Sequence, residues 1–235
     1  MDKVSISYCI PVHNEHRELE MLLFQLLKFL GDDDEIVIQG DQGKVTEEVV
    51  SVVRKYIKNS QIKYLEYPLN KNYGNFKNNL IKYAIGDYIF QIDADELVSS
   101  ILLENLKFLL MENPSIELFR VPRLNIVQGL SNDLIKQWGW VKEKKPVAKL
   151  DYATKDILEK YELDIDFVHA VNYPDKQSRI FKRLPHIQWI NPVHEVIVGM
   201  KSYADFPDYD FDYCLFHIKT VQRQVAQNKF YETFR

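Results

Sequence analysis

The feature that most restricts how this chain folds is an alternation of short apolar runs with amphipathic segments across its first 120 residues, interrupted at one point by paired carboxylates. Val4 to Ile10 reads as a buried strand, Arg17 to Leu30 as a helix and Glu35 to Gln39 as a second strand. Thr46 suits the cap of a helix running to about Ile57, with Glu47 and Glu48 at its positive end. Ile62 to Glu66 is a strand, Asn75 to Ile85 a helix, and Tyr88 to Ile92 an apolar strand that runs directly into Asp93-Ala94-Asp95-Glu96. A helix from about Ser100 to Met111 then closes against Pro114. Repeated strand-helix units predict an α/β fold: a Rossmann-like, mostly parallel central sheet with helices on both faces. Such sheets take ligands at the carboxyl ends of their strands, where Asp93 and Asp95 fall.

After Arg120 the rhythm changes. Val121 to Pro174 mixes glycine, proline, charge and the pair Trp138 and Trp140, and reads as a loop-rich, substrate-shaping stretch with a short helix near Lys155 to Tyr161. Strands are expected again at Ser178 to Arg183, Ile187 to Ile190, Val193 to Val198 and Tyr213 to Ile218, then a helix from about Thr220 to Tyr231. The second half has too few alternating units to fold separately. The expectation is one domain over 1–235, with a regular half at 1–120 and a smaller, irregular half at 121–235.

The 235 residues, 46% of them hydrophobic, suffice for a core without disulfides. Cys9 and Cys214 lie in apolar runs without metal-ligand spacing and read as buried thiols. A net charge of −4 gives no global attraction to nucleic acid. The apolar run at the N-terminus ends at His13-Asn14-Glu15, and the most apolar helix carries Glu20, Gln25 and Lys28. Neither reads as a secretion signal or a membrane span, so the expectation is a cytoplasmic chain that meets a membrane only peripherally.

Two carboxylates separated by one residue at a strand's end suit a hard divalent cation, Mg2+ or Mn2+, because such ions prefer oxygen ligands. The bare Asp-x-Asp pattern is weak, since solvated acidic turns are common. The apolar strand before it strengthens the reading, because carboxylates beside a core are costly without a cation.

Three stretches together resemble glycosyltransferase family two: Pro11-Val12-His13-Asn14-Glu15, then Asn72-Tyr73-Gly74 with Lys77-Asn78, then Ala84 to Glu96 ending in Asp93-Ala94-Asp95-Glu96. Further along, Arg179-Ile180-Phe181-Lys182-Arg183 and Asn191-Pro192-Val193-His194-Glu195 resemble a later signature of one bacterial-type branch. The resemblance implies a GT-A fold and a metal-dependent, inverting enzyme that moves a sugar from a nucleoside diphosphate, by default a UDP-sugar, to a hydroxyl acceptor, with 1–120 as the nucleotide-sugar-binding half and 121–235 as the acceptor-side half.

By position, the resemblance puts Pro11, Val12, Glu15 and Asp41 at the nucleoside, with Asn72 and Ala94 also on the donor side. It implies that Asp93 meets ribose and metal, and that Asp95 ligates the metal on the diphosphate. Where the family has paired aspartates followed by Gly-Ser, this chain reads Gly40-Asp41-Gln42-Gly43, which leaves the base open. Lys77 stands where the family often has arginine; it reads either as a diphosphate partner or as a solvated helix lysine. His194 is the expected third metal ligand, with His217 its rival. Glu195, directly after His194, reads either as the base that deprotonates the acceptor or as a carboxylate orienting His194. Asp133, Asp164, Asp166 and Asp175 are alternatives for the base, and Glu96 reads as a helix-starting acid.

Trp138 and Trp140 are candidates for stacking on the acceptor, and Trp189 for the core. The basic run Lys142 to Lys149 reads as a solvated loop or an attractor for an anionic acceptor. Two other functions remain open on sequence grounds: a catalytically silent nucleotide-sugar-binding module, suggested by the altered turn at Asp41, and a sugar nucleotidyltransferase. The second expects a glycine-rich loop after the first strand, where this chain has none.

Overall fold

The computed structural model describes residues 3–146, 150, 152–160, 162–163 and 167–232. Within them the chain divides into two compact units that interleave in sequence. Unit 1 comprises the chain up to Asp95, Leu106–Arg120 and Ser178–Ala204; unit 2 comprises Glu96–Asn105, Val121–Gln177 and the chain from Asp205.

Unit 1 is built on the predicted alternation: β1 (Ile6–Val12), α1 (His16–Leu26), β2 (Glu35–Asp41), α2 (Glu47–Tyr56), β3 (Ile62–Tyr67), α3 (Tyr73–Lys82) and β4 (Tyr88–Gln91). The strands pair in parallel in the order β3-β2-β1-β4. Parallel pairing sends every strand's carboxyl end to the same edge, so the Val12 turn, Asp41 and Asp93 share one rim. The strands β1, β2 and β4 are buried almost throughout, as a sheet covered on both faces requires. Thr46 caps α2 by accepting from Val49 N, as expected. The same unit contains the Ser178–Lys182 end of β8 (Phe167–Lys182), antiparallel to β4, and a two-stranded hairpin of β9 (Gln188–Ile190) and β10 (Val196–Val198). One apolar cluster joins these parts: Cys9, Val37, Leu80, Ile89, Phe181 and Trp189 are among its members.

Unit 2 corrects the expectation of an irregular stretch over 121–174. Its described residues include β6 (Leu118–Gln128) from Val121 onward, α5 (Asn132–Trp138), β7 (Lys142–Pro146), α6 (Tyr152–Lys160) and the rest of β8, together with β5 (Glu96–Val98), β12 (Leu215–Thr220) and α7 (Val221–Glu232). The helix α4 (Ser100–Glu112) and the short strand β11 (Tyr203–Asp205) complete the chain. β12 pairs in parallel with β6 and antiparallel with β5. The polar residues that disguise β6 in the sequence are Arg123 and Asn125. They alternate with buried Leu124 and Ile126 and enter a polar network, so their polarity is met by partners and does not mark a solvated loop. Gly139, which resembles a loop residue, is the left-handed C-cap of α5, and Ser131 caps the start of that helix by accepting from Leu134 N. Lys142–Pro146 is a strand on β8 where a loop was expected; Lys149 lies outside the described residues.

Glu96 is likewise not a helix-starting acid. It is a fully buried residue of β5, and Arg123 Nη1 donates to its Oε1 at 3.1 Å. Arg123 also donates through Nε and Nη2 to Asp175 Oδ2 at 2.9 and 2.7 Å, while Asn125 and Gln177 donate to the same carboxylate. Burial alone would raise the Asp175 carboxyl, but the Arg123 charge and these hydrogen bonds bring it below its ordinary value. A depressed carboxyl stabilises the fold above the unfolded-state value and loses that contribution as pH falls through the folded one. Asp175→Asn should therefore be less stable than the parent near neutrality, with the difference narrowing as pH drops below about 4; urea unfolding at a series of pH values measures it.

Candidate active site

The helix α3 is fastened to unit 1 on two sides, and this fastening builds the site. Toward the sheet, Gln39 Nε2 donates to Phe76 O at 2.7 Å, and Asn79 Nδ2 donates to Gln39 Oε1 at 2.8 Å. Toward the hairpin, the Asn78 carboxamide donates to Trp189 O at 2.7 Å and accepts from Trp189 N at 2.8 Å, as a neighbouring strand would. The first turn adds Tyr73 N donating to Pro192 O and Gly74 N donating to Asn191 O. Asn72, expected at the donor, caps this helix by accepting from Asn75 N at 2.8 Å.

Gly74 permits the close approach: a Cβ there would lie 2.7 Å from Asn191 O, a backbone atom. Alanine would gain about 1 kcal/mol in helix propensity, but overpacking against backbone costs about 1–3 kcal/mol. Gly74→Ala is expected to be net destabilising in urea unfolding and to lower activity, because the displaced segment carries Glu195. Unchanged stability and rate would show that the contact relaxes freely.

Between the two fastenings lies Lys77, only 4% exposed. Its Nζ is 2.6 Å from Glu195 Oε1 and 3.4 Å from Asp93 Oδ1, and it stands 4.7 Å from the centroid of the Trp189 ring. Arg179, buried in β8, donates through Nη2 to Asp93 Oδ2 at 2.7 Å. Two cations and two carboxylates are thus gathered at the strand ends, a balance that burial requires. Glu195 reaches this place because Asn191 and His194 adopt positive φ, turning the segment between β9 and β10 into a loop where a longer strand was expected.

The other expected residues take varied places. Asp93 and Asp95 are half-buried after β4, and Ala94 between them is buried. Pro11 and Val12 end β1, and Glu15 Oε2 accepts from His13 N and Asn14 N, shaping the turn that follows. Asp41 is buried at the end of β2, where Oδ1 accepts from Leu69 N and Oδ2 lies 3.5 Å from Lys44 Nζ. His194 is exposed, and no group of three His, Cys, Asp or Glu able to hold a metal forms among the described residues. His217 belongs to unit 2, buried, with Nδ1 2.9 Å from Asn125 Oδ1.

Trp138 and Trp140 pack against each other, with ring centroids 4.8 Å apart, in a small cluster with Val127, Leu130 and Val171. Among the alternatives for the base, Asp133 lies in the first turn of α5 and Asp175 is held by Arg123; Asp164 and Asp166 lie outside the described residues. The sequence assigns no role to Arg179, whose need for a carboxylate follows from its burial in β8. It also misses the part of Asn78 in holding the hairpin.

The sequence profile of Glycosyl transferase family 2 matches residues 7–156, more than half of the chain. The chain belongs to this family. No curated protein matches it in sequence. Among solved structures, it is similar to TarS of S. aureus. TarS 1-349 in complex with UDP aligns at a TM-score of 0.54 and 14% identity, covering 91% of this chain and 60% of that one. TarS 1-349 alone gives 0.52 with the same identity and coverage. The longer TarS structure gives 0.54 over 91% of this chain and 36% of that one. This chain therefore spans less than two thirds of the length of these structures, and the likeness establishes the GT-A fold. Among the described residues, no helix is long and apolar enough to cross a membrane.

Proposed function

We propose that this chain transfers a sugar from a nucleoside diphosphate to a hydroxyl acceptor with inversion at the anomeric carbon. The observation that carries the reading is the meeting of Asp93, Lys77 and Glu195, the last two 118 positions apart in sequence, at the strand ends of a family 2 fold. Pro11, Val12, Glu15 and Asp41 lie along the same rim and would receive the nucleoside. A uridine nucleotide is the first choice, since the TarS 1-349 structure holds UDP.

Asp93 and Asp95 fit a divalent cation that takes its remaining ligands from diphosphate and water, since Mg2+ commonly uses only one or two protein carboxylates beside substrate phosphates. Bound there, Mn2+ or Mg2+ would neutralise the departing diphosphate. His194 remains the proposed additional ligand. Arg179 holds Asp93 through Oδ2 and sets its orientation. Lys77 adds a further positive charge for the leaving group. Glu195 accepts the acceptor's hydroxyl proton as the oxygen attacks the anomeric carbon; the bond from that carbon to the diphosphate breaks, and its electron pair leaves with the diphosphate.

Incubating the protein with a panel of nucleoside diphosphate sugars and Mn2+ tests the reading. Metal-dependent release of free nucleoside diphosphate from one donor is expected. If no donor is turned over and none binds more tightly than its nucleoside monophosphate, the reading fails.

A further inference from the structure

We propose that Lys77 is a latch that answers to the donor: its ammonium holds Glu195 until a diphosphate draws it away, so the base becomes available only when the donor is in place. The inference rests on the proposed donor site and adds a sequence of events to it.

The contacts define the latched state. A 2.6 Å ion pair between Lys77 Nζ and Glu195 Oε1 is a charge-assisted hydrogen bond, and it occupies a carboxylate oxygen to which a proton would be transferred. The same ammonium is 3.4 Å from Asp93 Oδ1, so a diphosphate seated at Asp93 competes directly for it. A diphosphate carries more negative charge than one carboxylate and offers several acceptor oxygens. Lysine is suited to the exchange, because a compact charge on a flexible four-carbon stem changes partners without the fixed fork of arginine. Arg179 is such a fork, and its bond to Asp93 keeps that carboxylate in place while Lys77 moves.

The hairpin would not have to move. Trp189 is tied to Asn78 through its own backbone and rests its ring edge-on against Phe181, so Glu195 keeps its support when its partner leaves. An enzyme with such a latch has its base engaged whenever the donor site is empty.

The site contains its own reporter. Lys77 Nζ lies over the Trp189 ring at 4.7 Å, a cation-π distance, and its departure changes the field on the indole. The chain has three tryptophans, so Trp138→Phe with Trp140→Phe leaves Trp189 alone. UDP with Mn2+ should change the emission of this variant, saturating at the dissociation constant that calorimetry gives, whereas UMP should leave it unchanged. Lys77→Met should bind UDP more weakly and show no change on binding. In the unaltered chain, the Trp189 indole N–H resonance should shift with UDP and stay still with UMP, which carries the test if the double variant folds poorly. UDP that binds by calorimetry without altering Trp189 overturns the latch alone. Failure of every nucleoside diphosphate to bind overturns the donor site, and the latch with it.

Discussion

Asp95→Asn should lower sugar transfer by about 10³-fold, the several kcal/mol of charge stabilisation that a metal held on a diphosphate supplies. Asp93 is engaged by both Lys77 and Arg179, so replacing it would disturb the surrounding side chains as well as the metal. Asp95 is half-buried beyond β4. Asparagine keeps its volume and removes its charge. The loss should appear in Mn2+ affinity and in kcat together. A variant that retains full rate at saturating Mn2+ would remove Asp95 from the metal's ligands.

Glu195→Gln should lower kcat by about 10²–10⁴-fold, the contribution of a positioned general base. Glutamine preserves the length of the side chain and still accepts from Lys77 through its carbonyl oxygen, but it cannot take a proton as a carboxylate does. Donor KM should change far less than kcat. A carboxylate that only oriented His194 would instead weaken Mn2+ binding and leave the rate at saturating metal intact. The two roles that the sequence leaves open for Glu195 are therefore separated by one titration.

The strand-helix alternation of unit 1 is legible in the sequence because each element there has one dominant environment. β1, β2 and β4 are buried almost throughout, and Thr46 caps a helix by local chemistry that the sequence displays. Unit 2 is harder to read because its strands bury charge. Arg123 neutralises Glu96 and Asp175 together, and such a network resembles a polar loop until its members are seen in contact. Pro122 within β6 and Pro174 within β8 strengthen that impression, since proline usually marks the end or edge of a strand.

At the candidate site the sequence supplies Asp93, Lys77 and Glu195 as separate expectations. It does not supply the link among them, because pairing between residues 118 positions apart depends on Asn78 and Gly74 docking the hairpin onto α3. Arg179 stands within a motif without a visible duty, and its bond to Asp93 is a tertiary fact. Trp189 is expected in the core and is there, with the added contact of its ring to Lys77.

The central claim is that the acids following β4 receive a cation and the diphosphate of a nucleotide sugar. Crystals grown with UDP and Mn2+, measured at the manganese absorption edge, test it most directly. The account predicts an anomalous peak about 2.0–2.6 Å from a carboxylate oxygen of Asp93 or Asp95, the range of metal–oxygen distances of hard divalent cations, with the diphosphate of UDP beside it and Lys77 turned from Glu195 toward the diphosphate. A peak elsewhere, or UDP bound away from these acids, would contradict it.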